Sequence, residues 1–575
     1  MTMDPGSVGR WLGALLVVAA CQAGSGADLP ATGRAPALSV AEGRLGSLSA
    51  SQEAKLVASA GADFDLLGLS VAVSGDTALV GASRDDEHGS DAGAAYVFVR
   101  SGGSWVRQAK LVAPDGQSND HFGASVALSG DTALIGATAD DDVASDAGAA
   151  YVFVRTGATW TLQAKLTAVD GSSADQLGIS AALDGDTAVV GTVDDDDLGD
   201  RSGAAYVFAR SGTAWTQQAK LTAADGAERD QFGISVAVSG GTAVVGAYGD
   251  DDLGGSSGAA FVFVRSGGSW SQQAKLLPAD GAAGDQFGVA VAISGDTALV
   301  GANLDDIDGA SDAGSAYVFV RSGGAWSEQA KLVPADGAGG DSFGAAVALV
   351  GDTAVIGAPD DGDRGAASGS AYLYARSAAS WSLAAKLLAS DGESVDFFGS
   401  AVALSGASAL IGAPGDDDLA SSSGAAYAFQ LAAGDSGAAC ASNADCGSGF
   451  CTDGVCCDTA CGAGEANRCQ ACSVAAGAAV DGVCAPRAAG TVCRAAAGAC
   501  DAAETCSGSS PACPADGVSP AGTVCRAAAG SCDLTEACSG SSPACPDNEH
   551  RPNLSLCTGG LLGLPGVCLA GICVL

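Results

Sequence analysis

Between about residues 53 and 431, apolar and small polar positions alternate in short runs broken by Gly and Asp, and no stretch keeps the spacing of an amphipathic helix. One stretch reads ASVALSG, DTALIGA, AAYVFVR and WTLQAKL, beginning at Ala124, Asp131, Ala149 and Trp160. Alternation, Val and aromatic enrichment, and Gly or Asp at the breaks predict four β-strands there. The set then recurs. The glycine of a phrase whose fullest form is D-x-F-G stands at Gly68, Gly123, Gly178, Gly233, Gly288, Gly344 and Gly399, in steps of 55, 55, 55, 55, 56 and 55 residues. Four strands per unit at this length is the pattern of a propeller blade. The fourth run also occurs ahead of the first copy, as EAKL at Glu53–Leu56, while the seventh copy stops near Leu431 without one. The N-terminal run is therefore expected to complete the seventh blade, closing the ring and leaving no exposed edge. An open solenoid would instead need polar caps at its ends, and none is evident. The fold class predicted is all-β: a seven-bladed β-propeller of four-stranded blades closed by an N-terminal strand, followed by a small disulfide-rich region.

The segment DHFGASVALSGDTALIGA (Asp120 to Ala137) resembles the FG-GAP repeat of integrin α-chain propellers, and copies six and seven keep GAP at Gly357-Ala358-Pro359 and Gly412-Ala413-Pro414. The resemblance covers about 380 residues. It implies a seven-bladed propeller and a role in adhesion or ligand recognition. One feature departs from the family. Where many FG-GAP repeats carry a calcium loop of the form D-x-D-x-D-G-x-x-D, this chain has a tight Ser-Gly-Asp-Thr turn, as at Ser129 to Thr132. The family's calcium ligands do not carry over.

Acidic residues gather instead between the second and third strands. The clusters are Asp85 and Asp86; Asp140, Asp141 and Asp142; Asp194, Asp195, Asp196 and Asp197; Asp250, Asp251 and Asp252; Asp305, Asp306 and Asp308; Asp360, Asp361 and Asp363; Asp416, Asp417 and Asp418. Closely spaced carboxylates repel one another and supply the oxygen ligands that calcium takes. Their consecutive spacing is unlike an EF-hand loop, so two occupants stand open: calcium, or water around a solvated turn. A second acidic series, Asp65, Asp120, Asp175, Asp230, Asp285, Asp341 and Asp396, lies three residues before the ruler glycine. Six of its members have Asp-Gly five residues earlier, as at Asp115-Gly116. This series is expected to be scaffold, a short Asp side chain accepting backbone N–H groups.

Arg100, Arg155, Arg210, Arg265, Arg321 and Arg376 close the third strands, and Lys55, Lys110, Lys165, Lys220, Lys275, Lys331 and Lys386 mark the fourth. A charge repeated once per blade is expected to pair with acidic turns. The recurrent Trp105, Trp160, Trp215, Trp270, Trp326 and Trp381 are expected to pack between blades. No catalytic constellation stands out. The histidines His88, His121 and His550 do not recur between copies, and neither a nucleophile elbow nor a phosphate-cradling loop is present. The chain is expected not to be an enzyme. Its net charge of −40 excludes a nucleic-acid partner.

Of 21 cysteines, 20 lie in the C-terminal region: Cys440, Cys446, Cys451, Cys456, Cys457, Cys461, Cys469, Cys472, Cys484, Cys493, Cys500, Cys506, Cys513, Cys525, Cys532, Cys538, Cys545, Cys557, Cys568 and Cys573. An even number crowded into loops too short for a core predicts disulfides, with partners left open. Two near-identical units, residues 490–516 and 522–547, resemble part of the disintegrin-like module, although the chain holds no Arg-Gly-Asp. At the other end, Arg10 precedes the apolar run Trp11 to Ala20, and Val18-Ala19-Ala20-Cys21 resembles a bacterial lipobox. That resemblance implies lipidation of Cys21, and Gln22 after it implies the outer membrane.

The expected organisation is a signal and lipobox (1–21), a tether (22–50), the propeller (51–431), a linker (432–439) and a cysteine-rich region (440–575). The expected function is surface binding or adhesion, with propeller loops recognising a protein or glycan and calcium as a candidate cofactor. A surface-coat component and a tunnel-site hydrolase or lyase are the alternatives.

Overall fold

The computed structural model describes residues 48–58, 61–433, 451–452, 455–456, 469–471, 485–487, 489–510, 512–559 and 564–574. No helix occurs among them. The chain divides into two compact units, Met1–Ala432 and Ala433–Leu575.

The first unit holds seven four-stranded antiparallel sheets. In blade two the strands are Phe122–Ser129, Thr132–Ala137, Ala149–Thr156 and Thr159–Leu166, in that order across the sheet. Innermost strands of neighbouring blades touch all the way round, the seventh against the first. The expected closure is present: Leu48–Leu56 is the outer strand of the sheet that also contains Ala425–Ala433, Ser408–Ala413 and Ala401–Ser405.

Burial explains the sequence pattern. The first three strands of a blade are sandwiched between neighbours, so both faces are apolar and small; only the fourth alternates between buried and exposed positions. The ruler glycine has a physical reason. Gly123 has φ +95, and a Cβ there would overlap the carbonyl oxygen of Ala94 in the preceding blade. Its partner is the glycine of that blade's second strand, Gly81, where a Cβ would overlap Gly123 O. The same pairing joins Gly412 to Gly68, so backbone touches backbone at every blade junction, including the closing one. Phe122 fills the space beside this contact, fully buried and edge-on to Tyr151 and Phe153.

A register shift in each complete fourth strand, as between Val152 and Phe153, leaves one residue unpaired. In blade one that residue is Gln108, and its Oε1 accepts Trp160 Nε1 of the next blade at 3.0 Å. Arg155 stacks on the same indole (5.2 Å) and bonds Asp131 in its own turn and Thr77 in the previous blade. The Arg–Asp–Trp series is thus an inter-blade clamp at the end of the ring carrying the short turns.

In the second unit six disulfides among the described residues form a staggered ladder. Cys493–Cys513 and Cys525–Cys545 close the two repeated units, and Cys500–Cys538 ties one to the other. Cys469–Cys506, Cys532–Cys568 and Cys557–Cys573 extend it in both directions. Glu504 and Glu536 are buried and accept backbone N–H groups (2.7 Å each) from Gly517 and Glu549, so the acidic residues of the repeated phrase serve the scaffold. The side chains of Cys440, Cys446, Cys451, Cys456, Cys457, Cys461, Cys472 and Cys484 lie outside the described residues, as does Cys21.

Candidate functional site

At the end of the ring where the long loops emerge, each blade builds a cage around a lysine. In blade two, Lys165 Nζ lies 2.8 Å from Asp140, 2.5 Å from Asp142 and 3.0 Å from Asp115. The Tyr151 hydroxyl reaches Asp140 at 2.6 Å and Asp115 at 2.9 Å, and Lys165 Nζ sits 5.0 Å above the Tyr151 ring. Two loops therefore supply three carboxylates to one ammonium: the acidic loop between strands two and three, and the Asp-Gly loop that enters the blade. Burial alone would lower the lysine pKa, but the bonds from Asp140, Asp142 and Asp115 outweigh it and raise the value. Burial pushes Asp115 up, yet Lys165 and Tyr151 hold it below the ordinary carboxylate range.

The cage recurs. Lys220 holds Asp170, Asp195 and Asp197; Lys275 holds Asp225, Asp250 and Asp252; Lys386 holds Asp336, Asp361 and Asp363. Lys331 holds Asp280 and Asp305. In the closing blade Lys55 comes from the N-terminal strand and holds Asp391, Asp416 and Asp418. Of the remaining acidic positions, Asp86, Asp141, Asp196 and Asp306 accept backbone N–H groups across their own loops. Asp194 and Asp360 bond Gln176 and Ser342. Asp251, Asp308 and Asp417 are exposed. Most of the carboxylates that the sequence offers to calcium thus carry a partner, and in each blade that partner includes an ammonium.

The series before the ruler glycine behaves as scaffold. Asp65, Asp120, Asp175, Asp230, Asp285, Asp341 and Asp396 each accept the backbone N–H three residues upstream, at 2.6–2.7 Å. Burial raises their pKa values, with Asp230 and Asp396 pushed up to about 6.

Blade one departs from its sisters. Lys110 holds Asp85 (2.8 Å) and Glu87, and the Tyr96 hydroxyl bonds Asp85 at 2.7 Å. The position of Asp115 in that copy is Ala60, which carries no carboxylate. A cavity of about 780 Å³ opens here, lined by the carboxylates of Asp65, Asp85, Asp86 and Glu87 and by Tyr96, Arg107, Gln108 and Lys110. Arg107 lies 5.8 Å over the Tyr96 ring, at a position that is Leu, Gln or Glu in the later copies.

Two parts of the cage escape a reading of composition: the Asp-Gly carboxylate and the tyrosine. Both leave a signal. Asp-Gly precedes six copies at constant offset, and an aromatic fills the third-strand position in all seven. The histidines are scattered: His88 is exposed, His121 is held below its ordinary pKa by burial, and His550 bonds Asp533 at 3.1 Å. Three groups of cysteines close enough to hold a metal are disulfide-bonded residues. At the long-loop end of the innermost strands, Ile179, Val193, Ile234 and Val289 from three successive blades pack in one buried apolar cluster.

The FG-GAP repeat pattern matches residues 50–98, 105–153, 160–208, 215–263, 270–319, 326–374 and 381–429, more than half of the chain. The chain belongs to the FG-GAP repeat family. Each FG-GAP match begins in a fourth strand and ends in the third strand of the following blade, so its register straddles the junctions where the cages form. Among solved structures, this FG-GAP chain is similar to Saccharomyces cerevisiae Sqt1, with 10% identity, TM-score 0.36, and cover of 63% of this chain and 82% of that one. It is also similar to a chain of a mitotic checkpoint complex, with 14% identity, TM-score 0.41, and cover of 69% and 98%. No curated protein matches it.

Proposed function

We propose that this FG-GAP protein is a non-enzymatic binding or adhesion protein of the bacterial surface, recognising a protein or glycan through the long-loop end of its propeller. The observation that carries the reading is family membership over seven blades, since FG-GAP propellers are commonly binding modules. A closed ring held at each blade by a lysine cage supports it, because rigid scaffolds presenting loops are how such folds bind. The lipobox resemblance at Cys21 supports lipid anchoring, and the disulfide ladder supports an oxidising compartment. The resident lysines support adhesion that does not depend on calcium. The test is binding of the purified, oxidised chain to peptide and glycan arrays, together with its size in solution. Saturable binding by a monomer is the expected result. Self-association with no bound ligand would favour a coat component instead.

A further inference from the structure

One rung of the disulfide ladder is unlike the others. Cys493, Cys525 and Cys557 stand 32 residues apart. Cys557–Cys573 closes a shortened third copy of the repeated unit, as Cys493–Cys513 and Cys525–Cys545 close the first two. Seven residues past these cysteines the first two copies carry Cys500 and Cys532, which link each copy to the next, whereas the third carries Leu564. The acidic phrase is gone as well: no charged residue occurs from Leu554 to Leu575, in a chain of net charge −40. The third copy instead forms an antiparallel sheet of Leu556–Gly559, Leu564–Leu569 and Ile572–Val574. Leu556 pairs with Val567, Val567 with Val574, and Leu569 with Ile572, so these five side chains share one face. Cys557, Cys568 and Cys573 point the other way, into a cluster with Cys532. The apolar face is open: Leu556 is 78% exposed and Ile572 67%, and Leu569 and Val574 are exposed too. In the first two copies the corresponding Val492 and Val524 pair with Thr505 and Ala537, beside the ion pairs Arg494–Glu504 and Arg526–Glu536. Only the third copy presents an uncharged face.

We propose that this sheet face pairs with the same face of a second copy of the chain. Charge selects the occupant. Two chains this acidic repel wherever their carboxylates meet, so they approach most closely through a patch that carries none, and a charged partner finds no counter-charge there. The five side chains present about 400–500 Å² of apolar surface, the size that marks an interaction site on a monomer. Two such faces in contact remove about 800–1,000 Å² from water, which belongs to weak, reversible interfaces. A face that meets its own copy about a two-fold axis is used up at two, so the assembly closes as a dimer and does not grow into a sheet or coat. The chain is then a monomer at the dilution of a binding array and pairs where copies are crowded. Anchoring at Cys21, as proposed above, would supply that crowding and make adhesion bivalent. The pairing itself needs neither the anchor nor an adhesive ligand.

Sedimentation equilibrium of the purified, oxidised chain from Gln22 onward, without lipid, tests this between about 1 and 500 μM, the range in which a weak interface titrates. The weight-average mass is expected to rise with concentration to twice the monomer and stop. Ile572→Asp places a like charge on the face and is expected to weaken pairing at least tenfold. Leu556→Thr, a milder change that suits a strand, is expected to weaken it several-fold with the melting transitions of wild type. Val524→Asp, at the exposed valine of the second copy, is expected to leave pairing unchanged. No association at the highest concentration overturns the proposal, and so does mass that continues to grow past two copies. Pairing undiminished in both face variants, or lost equally in V524D, overturns it by placing the contact elsewhere. Binding of the lipid-free chain to phosphatidylcholine vesicles that Ile572→Asp removes would assign the face to a lipid surface and overturn the pair. A negative binding array with a dimer that Ile572→Asp dissociates would remove the adhesive reading and keep this interface, whereas array binding by a chain that never pairs would do the reverse.

Discussion

Each lysine cage sets a buried carboxylate against a half-buried ammonium, and the balance is asymmetric. Removing the cation from Asp140, which is 2% exposed, leaves a charge with no counterpart in a low-dielectric place. Lys165→Met is therefore expected to cost about 2–4 kcal/mol in urea unfolding, whereas Asp142→Asn, on the exposed side of the same cage, should cost under about 1 kcal/mol. The scaffold series responds to pH in its own sense. Asp230 has a folded pKa of about 6, above its unfolded value. Its contribution is present in full below the unfolded pKa, near 4, and is lost as pH rises through about 6. Asp230→Asn, which keeps an oxygen to accept Ala227 N–H, should stabilise the protein by about 1–2 kcal/mol at pH 7.5 and by almost nothing below pH 4. Thermal melts at the two pH values measure the difference. The recurrence of these residues was plain in the sequence, but their partners were not. Asp115, Asp140 and Lys165 come from three separate segments, and only the return of the fourth strand beside the acidic loop brings them to one point.

At the scale of strands and turns, the sequence is unusually transparent. Period-two runs separated by Gly and Asp identify each strand because the blades are sandwiched in a regular stack, so burial tracks sequence position from copy to copy. Glycine was legible as a ruler but not as a contact. Its reason, backbone packed on backbone at the blade junction, depends on the neighbouring unit. Gly123→Ala should accordingly be destabilising by more than about 3 kcal/mol, since it adds both a positive-φ penalty and an overlap with a rigid carbonyl. Gly130→Ala, at φ +57 in an open turn, should cost about 1 kcal/mol. Comparing the two by urea midpoint separates conformational strain from the junction contact. What alternation could not announce is the cavity of blade one, because a missing carboxylate registers only against six copies that have it.

For the whole molecule, the two units rely on different bonds. No cysteine lies between Cys21 and Cys440, so reduction should leave the propeller's melting transition where it is while making the C-terminal unit sensitive to protease. A transition that moves by many degrees on reduction would mean that the propeller draws stability from the ladder. Melts with calcium and with chelator are expected to coincide, because lysine already neutralises part of each cage; a large saturable rise with calcium would return the acidic loops to that ion. The overall plan was readable because closure requires a spare strand at one end, and Glu53–Leu56 stood there. That closing strand also sets a clock. Of the propeller's strands Leu48–Leu56 is made before the others, yet its partner, Ala425–Ala433, comes only after the six intervening blades have been made. At ordinary rates of synthesis the wait is about 20–70 s. Throughout it, the earliest part of the propeller must stay unpaired, and the last blade must find it before another chain does.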